Sequence, residues 1–131
     1  LAVQKEEILR VEDTDGDGVA DASILIDDDL ATPLTGIAAG VLWAEGAAYA
    51  TVEPDVWKYE DFGKDGKPAK RTLLSRGYSI HIGQGGHNVS GLTMGPDGRI
   101  YWSVADKGIN ATGRNGERIF YPAALTSLTI S

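Results

Sequence analysis

Short segments rich in β-branched and aromatic residues alternate with glycine-containing turns along most of the chain, and this alternation is the strongest constraint on its fold. Turn dipeptides such as Asp65-Gly66 and Asn115-Gly116 lie between these segments, where the connections of hairpins would lie. Helical periodicity is confined to Ala2–Leu9 and Ala123–Leu128, each of which predicts at most a turn or two of helix. The sequence therefore predicts an all-β protein. The predicted strands are Glu7–Val11, Ser23–Ile26, Gly40–Trp43, Ala47–Val52, Val56–Tyr59, Arg71–Ser75, Leu92–Met94 and Arg99–Val104.

A weak internal repeat indicates how these strands are grouped. The segment from Leu9 to Asp13 is similar to the segment that begins at Trp57, 48 positions later, and the following Asp-Gly dipeptides keep the same register. Periods of about 40 to 50 residues in short strands favour β-propeller blades of four antiparallel strands. At this period the 131 residues hold two to three blades, whereas a closed propeller has at least about four. We therefore expect an incomplete propeller fragment.

We expect one partial β-propeller domain over residues 1–131, with a calcium-loop hairpin at 7–29 and further blade segments at 33–75 and 78–131. The chain begins at Leu1 without an initiator methionine or a charged-then-apolar signal segment, which predicts a processed or excised piece of a longer protein. An open propeller exposes unpaired strand edges. The expected cover is the remaining blades of the parent protein, with self-association as the second choice.

Composition excludes several classes of partner and cofactor. Nineteen acidic against twelve basic residues give a net charge of −7, which disfavours nucleic acid. No apolar run approaches the roughly 18 to 20 residues of a membrane span. The chain has no cysteine, which excludes disulfides, thiolate metal sites and the C-x-x-C-H attachment of a c-type haem. We therefore expect no nucleic acid partner, no membrane span and no haem in this chain.

Residues 13–21, named here the Asp-rich loop, place acidic side chains at alternate positions. A calcium ion takes six to eight oxygen ligands, and alternate side chains of a tight loop point inward. Gly18 allows the sharp turn that such a loop needs. The sequence therefore predicts a structural calcium site, and a solvated acidic turn without metal is the alternative. The predicted ligands are Asp13, Asp15, Asp17 and Asp21, with the backbone carbonyl of Val19.

This loop differs from an EF-hand. Its twelfth position is Ile24 instead of a bidentate glutamate, and strands instead of helices flank it. It resembles the calcium loops in the hairpins of integrin-type propellers. The repeat copy keeps Asp61 and Asp65 but lacks the other acidic positions, so we expect calcium only at the first copy. The run of three aspartates at 27–29 lacks alternate spacing and predicts a solvated strand end.

Both histidines of the chain, His81 and His87, lie in the glycine-rich segment 78–91. Glycines allow the backbone to expose an imidazole, and neutral histidine can abstract a proton near neutral pH. Histidines that pack or hydrogen-bond within the fold are the alternative.

The residues that follow strengthen the catalytic interpretation. His87 stands eight residues before Gly95-Pro96-Asp97, and Asp106-Lys107-Gly108 follows the next predicted strand. This spacing resembles the propeller of soluble quinoprotein sugar dehydrogenases such as the glucose dehydrogenases. By that resemblance His87 is the general base that takes the proton of a substrate hydroxyl group, and Asp106 orients it. Lys107 and Ala105 depart from the pattern, because a polar amide and a glycine are frequent at these positions.

A closer resemblance is to a bacterial family of membrane-bound, sorbosone dehydrogenase-like proteins. Its motifs match the segments 13–18, 33–38, 86–91 and 95–101, so the resemblance spans nearly the whole chain. It implies the N-terminal portion of a secreted sugar or alcohol dehydrogenase, periplasmic or extracellular, with a carbohydrate substrate and with pyrroloquinoline quinone in the full-length protein. The residues that hold the quinone in that family come from later blades, so we expect no activity from this chain alone.

A non-catalytic, calcium-binding propeller module that binds a carbohydrate or a protein is the alternative function. It would use the tyrosines and the three tryptophans, Trp43, Trp57 and Trp102. All three lie in predicted strands, which favours packing in the core.

Overall fold

A computed structural model describes residues 2–4, 7–30, 38–79, 87–122 and 126–130. These residues form twelve β-strands and no helix, so the all-β prediction is confirmed. None of them forms a helix that is long and apolar enough to cross a membrane. The strands are β1 (Ala2–Gln4), β2 (Glu7–Glu12), β3 (Ala22–Asp27), β4 (Ala38–Ala44), β5 (Ala47–Val52), β6 (Asp55–Phe62), β7 (Pro68–Arg76), β8 (Ser90–Met94), β9 (Ile100–Val104), β10 (Ile109–Thr112), β11 (Arg118–Tyr121) and β12 (Thr126–Ile130).

All eight predicted strands are present, and the described residues of the two segments with helical periodicity form strands instead of helix. β1 pairs with β2 through Val3 and Ile8, and β12 pairs with β9 through Leu128 and Trp102. Pairing with a neighbouring strand satisfies the backbone groups of both short segments, and this tertiary contact outweighs a weak local preference. Both antiparallel pairings lie at sheet edges.

Residues 38–76 form an antiparallel sheet with the strand order β4-β5-β6-β7, in which each strand pairs with its neighbour in the chain. Every residue of β5 is buried, because this inner strand has a partner on both sides and packs on both faces. The β4–β5 turn places Glu45 and Gly46 at positive φ, as a two-residue hairpin turn requires. This sheet has the four antiparallel strands that the repeat predicts.

The other described strands form smaller sheets, ordered β1-β2-β3, β12-β9-β8 and β10-β11. The expectation of four-stranded units is thus met in residues 38–76 but not among the strands after them. β10 lies apart from β9 because it is held at the end of β7. Tyr78 bridges to Ile109, and the backbone N–H of Asn110 donates to the carbonyl of Gly77 at 2.8 Å.

The buried apolar side chains form two clusters. The larger lies between the four-stranded sheet and strands β8 to β10, and it includes Val56, Val89 and Val104, each 0% exposed. The smaller joins β2 and β3 to the other face of β5 and to β6, and it includes Ile8, Ala50 and Tyr59. Each fully buried large aliphatic side chain contributes about 1.5–3 kcal/mol. The two clusters therefore hold the sheets together on both faces of β5.

Candidate functional site

The Asp-rich loop connects β2 to β3, and backbone contacts define its shape. The N–H of Asp21 donates to the carbonyl of Glu12 at 2.9 Å, which closes the hairpin at its base. Gly16 and Gly18 have φ values of 80° and 89°, a region that glycine adopts without steric cost. These two glycines turn the chain sharply enough to bring the acidic side chains of the loop together.

Three carboxylates converge in this loop. Asp13, Asp15 and Asp17 each offer an oxygen, and these oxygens all lie within 4.8 Å of one another. This is the one such group of acidic, histidine or cysteine side chains in the described part of the chain. Asp13 accepts hydrogen bonds from the N–H groups of Gly18 at 2.8 Å and Gly16 at 2.6 Å, which lower its pKa below the ordinary 3.8. Three carboxylate oxygens at this spacing are the kind of ligand that a hard divalent cation such as calcium takes.

The other two predicted ligands have a different environment. The Asp21 carboxylate accepts hydrogen bonds from the hydroxyl group of Thr14 at 2.7 Å and from its N–H at 3.1 Å, and both lower its pKa. Val19 is 65% exposed, and its N–H donates to Asp17 at 2.7 Å. The structure thus brings together three of the four predicted aspartates and engages the fourth with Thr14.

His87 and Asp106 lie at the same end of two paired strands. His87 precedes β8 and Asp106 follows β9, and the antiparallel pair Ser90–Ser103 brings the two loops together. His87 Nδ1 lies 2.7 Å from Asp106 Oδ1, a hydrogen-bond distance that confirms the predicted proximity. Their side chains are 59% and 60% exposed. His81 lies outside the described residues.

This contact determines which nitrogen of His87 is available for chemistry. An ionised carboxylate only accepts hydrogen bonds, so in the neutral ring the proton lies on Nδ1, and this N–H donates a hydrogen bond to Asp106. Nε2 of the neutral ring then holds a lone pair. A histidine in this tautomer, with an exposed ring, can take a proton from a bound hydroxyl group.

Beneath this exposed pair lies a buried polar contact that the sequence alone did not reveal. The ammonium group of Lys107 donates to Asn88 Oδ1 and lies 3.6 Å from Glu53 Oε1. The Lys107 side chain is 8% exposed, and Asn88 is 4% exposed. Burial raises the pKa of Glu53, and the charge of Lys107 opposes that effect. The available sequence signal was that a lysine occupies position 107, where a polar amide is expected from the sequence pattern.

A protein-family model described as "Domain of unknown function (DUF7133)" matches residues 2–123. The chain belongs to this family. The DUF7133 match includes both the Asp-rich loop and the His87–Asp106 pair. No curated protein and no solved structure matches the chain significantly.

This DUF7133 domain also has a half-open cavity of about 1120 Å³ between its sheets. Tyr49, Tyr78 and Trp102 line it together with charged residues such as Lys58 and Glu117. Trp102 is 3% exposed, and its Nε1 donor has no hydrogen-bond acceptor among the described residues. A cavity of this size, with aromatic and polar walls, can hold a small polar ligand.

The three tryptophans therefore differ in their surroundings. Trp102 lies in the core, as predicted. Trp43 is 46% exposed, so the expectation that it packs in the core is wrong. It lies at the surface of β4, where its ring contacts Phe62 at 4.9 Å between centroids. Trp57 is partly buried beneath the guanidinium group of Arg71, 4.1 Å from the ring centroid.

Proposed function

We propose that the chain is part of a propeller-type sugar or alcohol dehydrogenase, in which His87 is the general base and Asp106 orients it. The observation that carries this proposal is the 2.7 Å contact between His87 Nδ1 and Asp106 Oδ1, on a pair that is accessible to a substrate. The carboxylate fixes the tautomer of the ring and stabilises the imidazolium that forms when the ring takes a proton.

Oxidation of an alcohol removes a proton from the hydroxyl oxygen and a hydride from the adjacent carbon atom. His87 Nε2 takes the proton, so the O–H bond breaks as an N–H bond forms. The electron pair left on oxygen then favours departure of the hydride and formation of the carbonyl group. Asp106 offsets the positive charge that develops on the ring.

The resemblance implies pyrroloquinoline quinone as the hydride acceptor, and its carboxylates need cationic partners. The cation next to the pair is Lys107, but it is buried and held by Asn88 and Glu53. The described residues around the pair therefore do not form a quinone site. We assign no part of the hydride transfer to them.

The propeller architecture is part of the same proposal. It is supported by the four-stranded antiparallel sheet of residues 38–76 and by the repeat of 48 positions. Eight strands lie at an edge of a described sheet, namely β1, β3, β4, β7, β8, β10, β11 and β12. We propose that further blades, or a second copy of the chain, cover such edges in a periplasmic or extracellular protein.

The experiment that tests the base is replacement of His87 in the full-length natural protein, assayed with quinone and candidate sugars. His87→Gln is expected to lower turnover about 100-fold or more, because general bases contribute on that order. Asp106→Asn is expected to lower turnover less, since it removes the orienting group and leaves the base. His81→Gln is the control and is expected to have a much smaller effect. Unchanged turnover in the His87 variant contradicts the proposal.

A binding module without catalysis is the second candidate function, and the cavity beside Trp102 favours it. A polyhydroxylated ligand offers apolar faces to the aromatic side chains of the cavity wall and hydroxyl groups to its charged residues, such as Lys58 and Glu117. Titration with simple sugars should then shift the indole N–H resonance of Trp102, while those of Trp43 and Trp57 stay in place. Equal shifts at all three tryptophans, or none, count against this function.

A further inference from the structure

The two segments that carry the catalytic pair contact each other twice. His87 bonds to Asp106 on the exposed side, and the next residues, Asn88 and Lys107, bond to each other on the buried side. His87 and Asn88 lie in a bend before β8, and Asp106 and Lys107 lie in a turn after β9, so the local geometry of the bend and the turn sends adjacent side chains to opposite sides. The same two segments are thus joined by an outer contact and an inner contact.

The inner contact is connected to the rest of the fold. Lys107 reaches Glu53, which lies between β5 and β6 of the four-stranded sheet. Ser79 binds both segments through the backbone: its hydroxyl oxygen accepts from the N–H of Val89 at 2.8 Å, and its N–H donates to the carbonyl of Gly108 at 2.9 Å. Ser79 holds the two backbones, while the Asn88–Lys107 contact fixes how the side chains project from them.

Burying an ammonium group is costly. Removing it from water costs free energy that hydrogen bonds and an opposite charge offset only in part. A methionine of similar length would fill the same space without that cost. Buried ionic contacts are retained in some proteins because they specify one arrangement of the chain. Here the two segments that Lys107 and Asn88 join are the ones that carry Asp106 and His87.

We propose that Lys107 is a positioning residue that, through Asn88 and Glu53, keeps Asp106 in hydrogen-bond contact with His87. The catalytic consequence of this role rests on the proposed function, but the positioning itself does not. Removal of the ammonium group should free Asp106 to rotate away, so that Nδ1 of His87 loses its acceptor.

The first readout is the tautomer of His87, measured from ¹⁵N resonances of the ring at about pH 9, well above the ordinary histidine pKa of about 6.5. The native protein should hold the proton on Nδ1. Lys107→Met should shift the population toward the mixture seen in Asp106→Asn, which lacks the carboxylate. Lys107→Gln retains a donor for Asn88 and should restore much of the native signal. Lys58→Met, which removes a lysine paired with Glu60, is the control and should change nothing.

The second readout is a double-mutant cycle on turnover in the full-length protein. If Lys107 acts through Asp106, Lys107→Met should lower kcat about tenfold in the native background and have almost no effect in the Asp106→Asn background. A merely structural role would give losses that multiply. If His87 is not the base, Lys107→Met leaves turnover unchanged but still shifts the tautomer of His87. This outcome separates failure of the proposed function from failure of the positioning role.

Asn88→Leu removes the other partner of the Asn88–Lys107 contact. It is the variant to test if Lys107→Met does not fold. An unchanged Nδ1–H tautomer in the folded variant overturns the inference. The inference is also overturned if Lys107→Met lowers kcat by the same factor in the native and the Asp106→Asn backgrounds.

Discussion

The hydroxyl group of Tyr59 donates a 2.7 Å hydrogen bond to Asp27, 32 residues away in the chain. Tyr59 belongs to β6, and Asp27 ends β3, so this bond joins the four-stranded sheet to the sheet that carries the Asp-rich loop. Arg71 adds an ion pair to the same carboxylate at 3.2 Å. Burial, and then the bond to Asp27, raise the pKa of Tyr59 far above its ordinary value, so the hydroxyl group stays protonated and donates.

Tyr59→Phe should lower the free energy of unfolding by about 1–3 kcal/mol, because it leaves the buried carboxylate of Asp27 with one fewer donor. Urea unfolding measures the loss. Tyr101→Phe is the matched control, since Tyr101 makes the same kind of bond to Asp97 at 2.8 Å but at the surface. The loss of unfolding free energy in Tyr101→Phe should be clearly smaller than in Tyr59→Phe. Equal losses would show that burial is not the cause.

Gly77→Ala should destabilise the fold by more than about 3 kcal/mol. Gly77 has a φ of 113°, and a Cβ there would overlap the backbone carbonyl of Asn110 in β10. The new methyl group would therefore push β10 away from the end of β7. Gly116→Ala is the control, because Gly116 also has positive φ, at 82°, but open space around it. It should cost about 1–2 kcal/mol from backbone strain alone.

The carboxyl group of Asp97 should titrate below its ordinary pKa of 3.8, because the hydroxyl group of Tyr101 and then the N–H of Arg99 bond to its ionised form. A folded-state pKa below the unfolded value means that this interaction stabilises the protein above pH 3.8 and is lost as the pH falls through the folded pKa. Carboxyl ¹³C titration measures the shift. In Tyr101→Phe the pKa should return toward 3.8, and no change between the two proteins would contradict the assigned cause.

If the Asp-rich loop binds calcium as the sequence predicts, calcium should raise the melting temperature of the protein by mass action, since an ion that binds the folded loop and not the unfolded chain stabilises the fold. Chelation should reverse the rise. Asp15→Asn removes one of the three convergent carboxylates and should weaken the effect strongly. Asp65→Asn changes the corresponding turn between β6 and β7 and should leave the effect intact. A melting temperature that is indifferent to calcium would reject the site.

Local chemistry alone was enough to locate most strands and the Asp-rich loop. The alternation of strand-forming residues with glycine-containing turns predicted β5 with its exact bounds, Ala47–Val52. The alternate aspartates predicted the convergence of Asp13, Asp15 and Asp17. Such features depend on neighbours within a few positions, where the period of a strand and the turn preferences of glycine act directly.

Contacts between distant segments were decided only by tertiary structure. The run at 27–29 predicted a solvated strand end, and this is wrong for Asp27, whose side chain is 7% exposed and pairs with Arg71. The pairing of β12 with β9 and the burial of Lys107 against Asn88 and Glu53 were equally absent from local patterns. An ammonium or carboxylate group is stable in the interior only where packing brings it a partner, and that partner comes from another part of the chain.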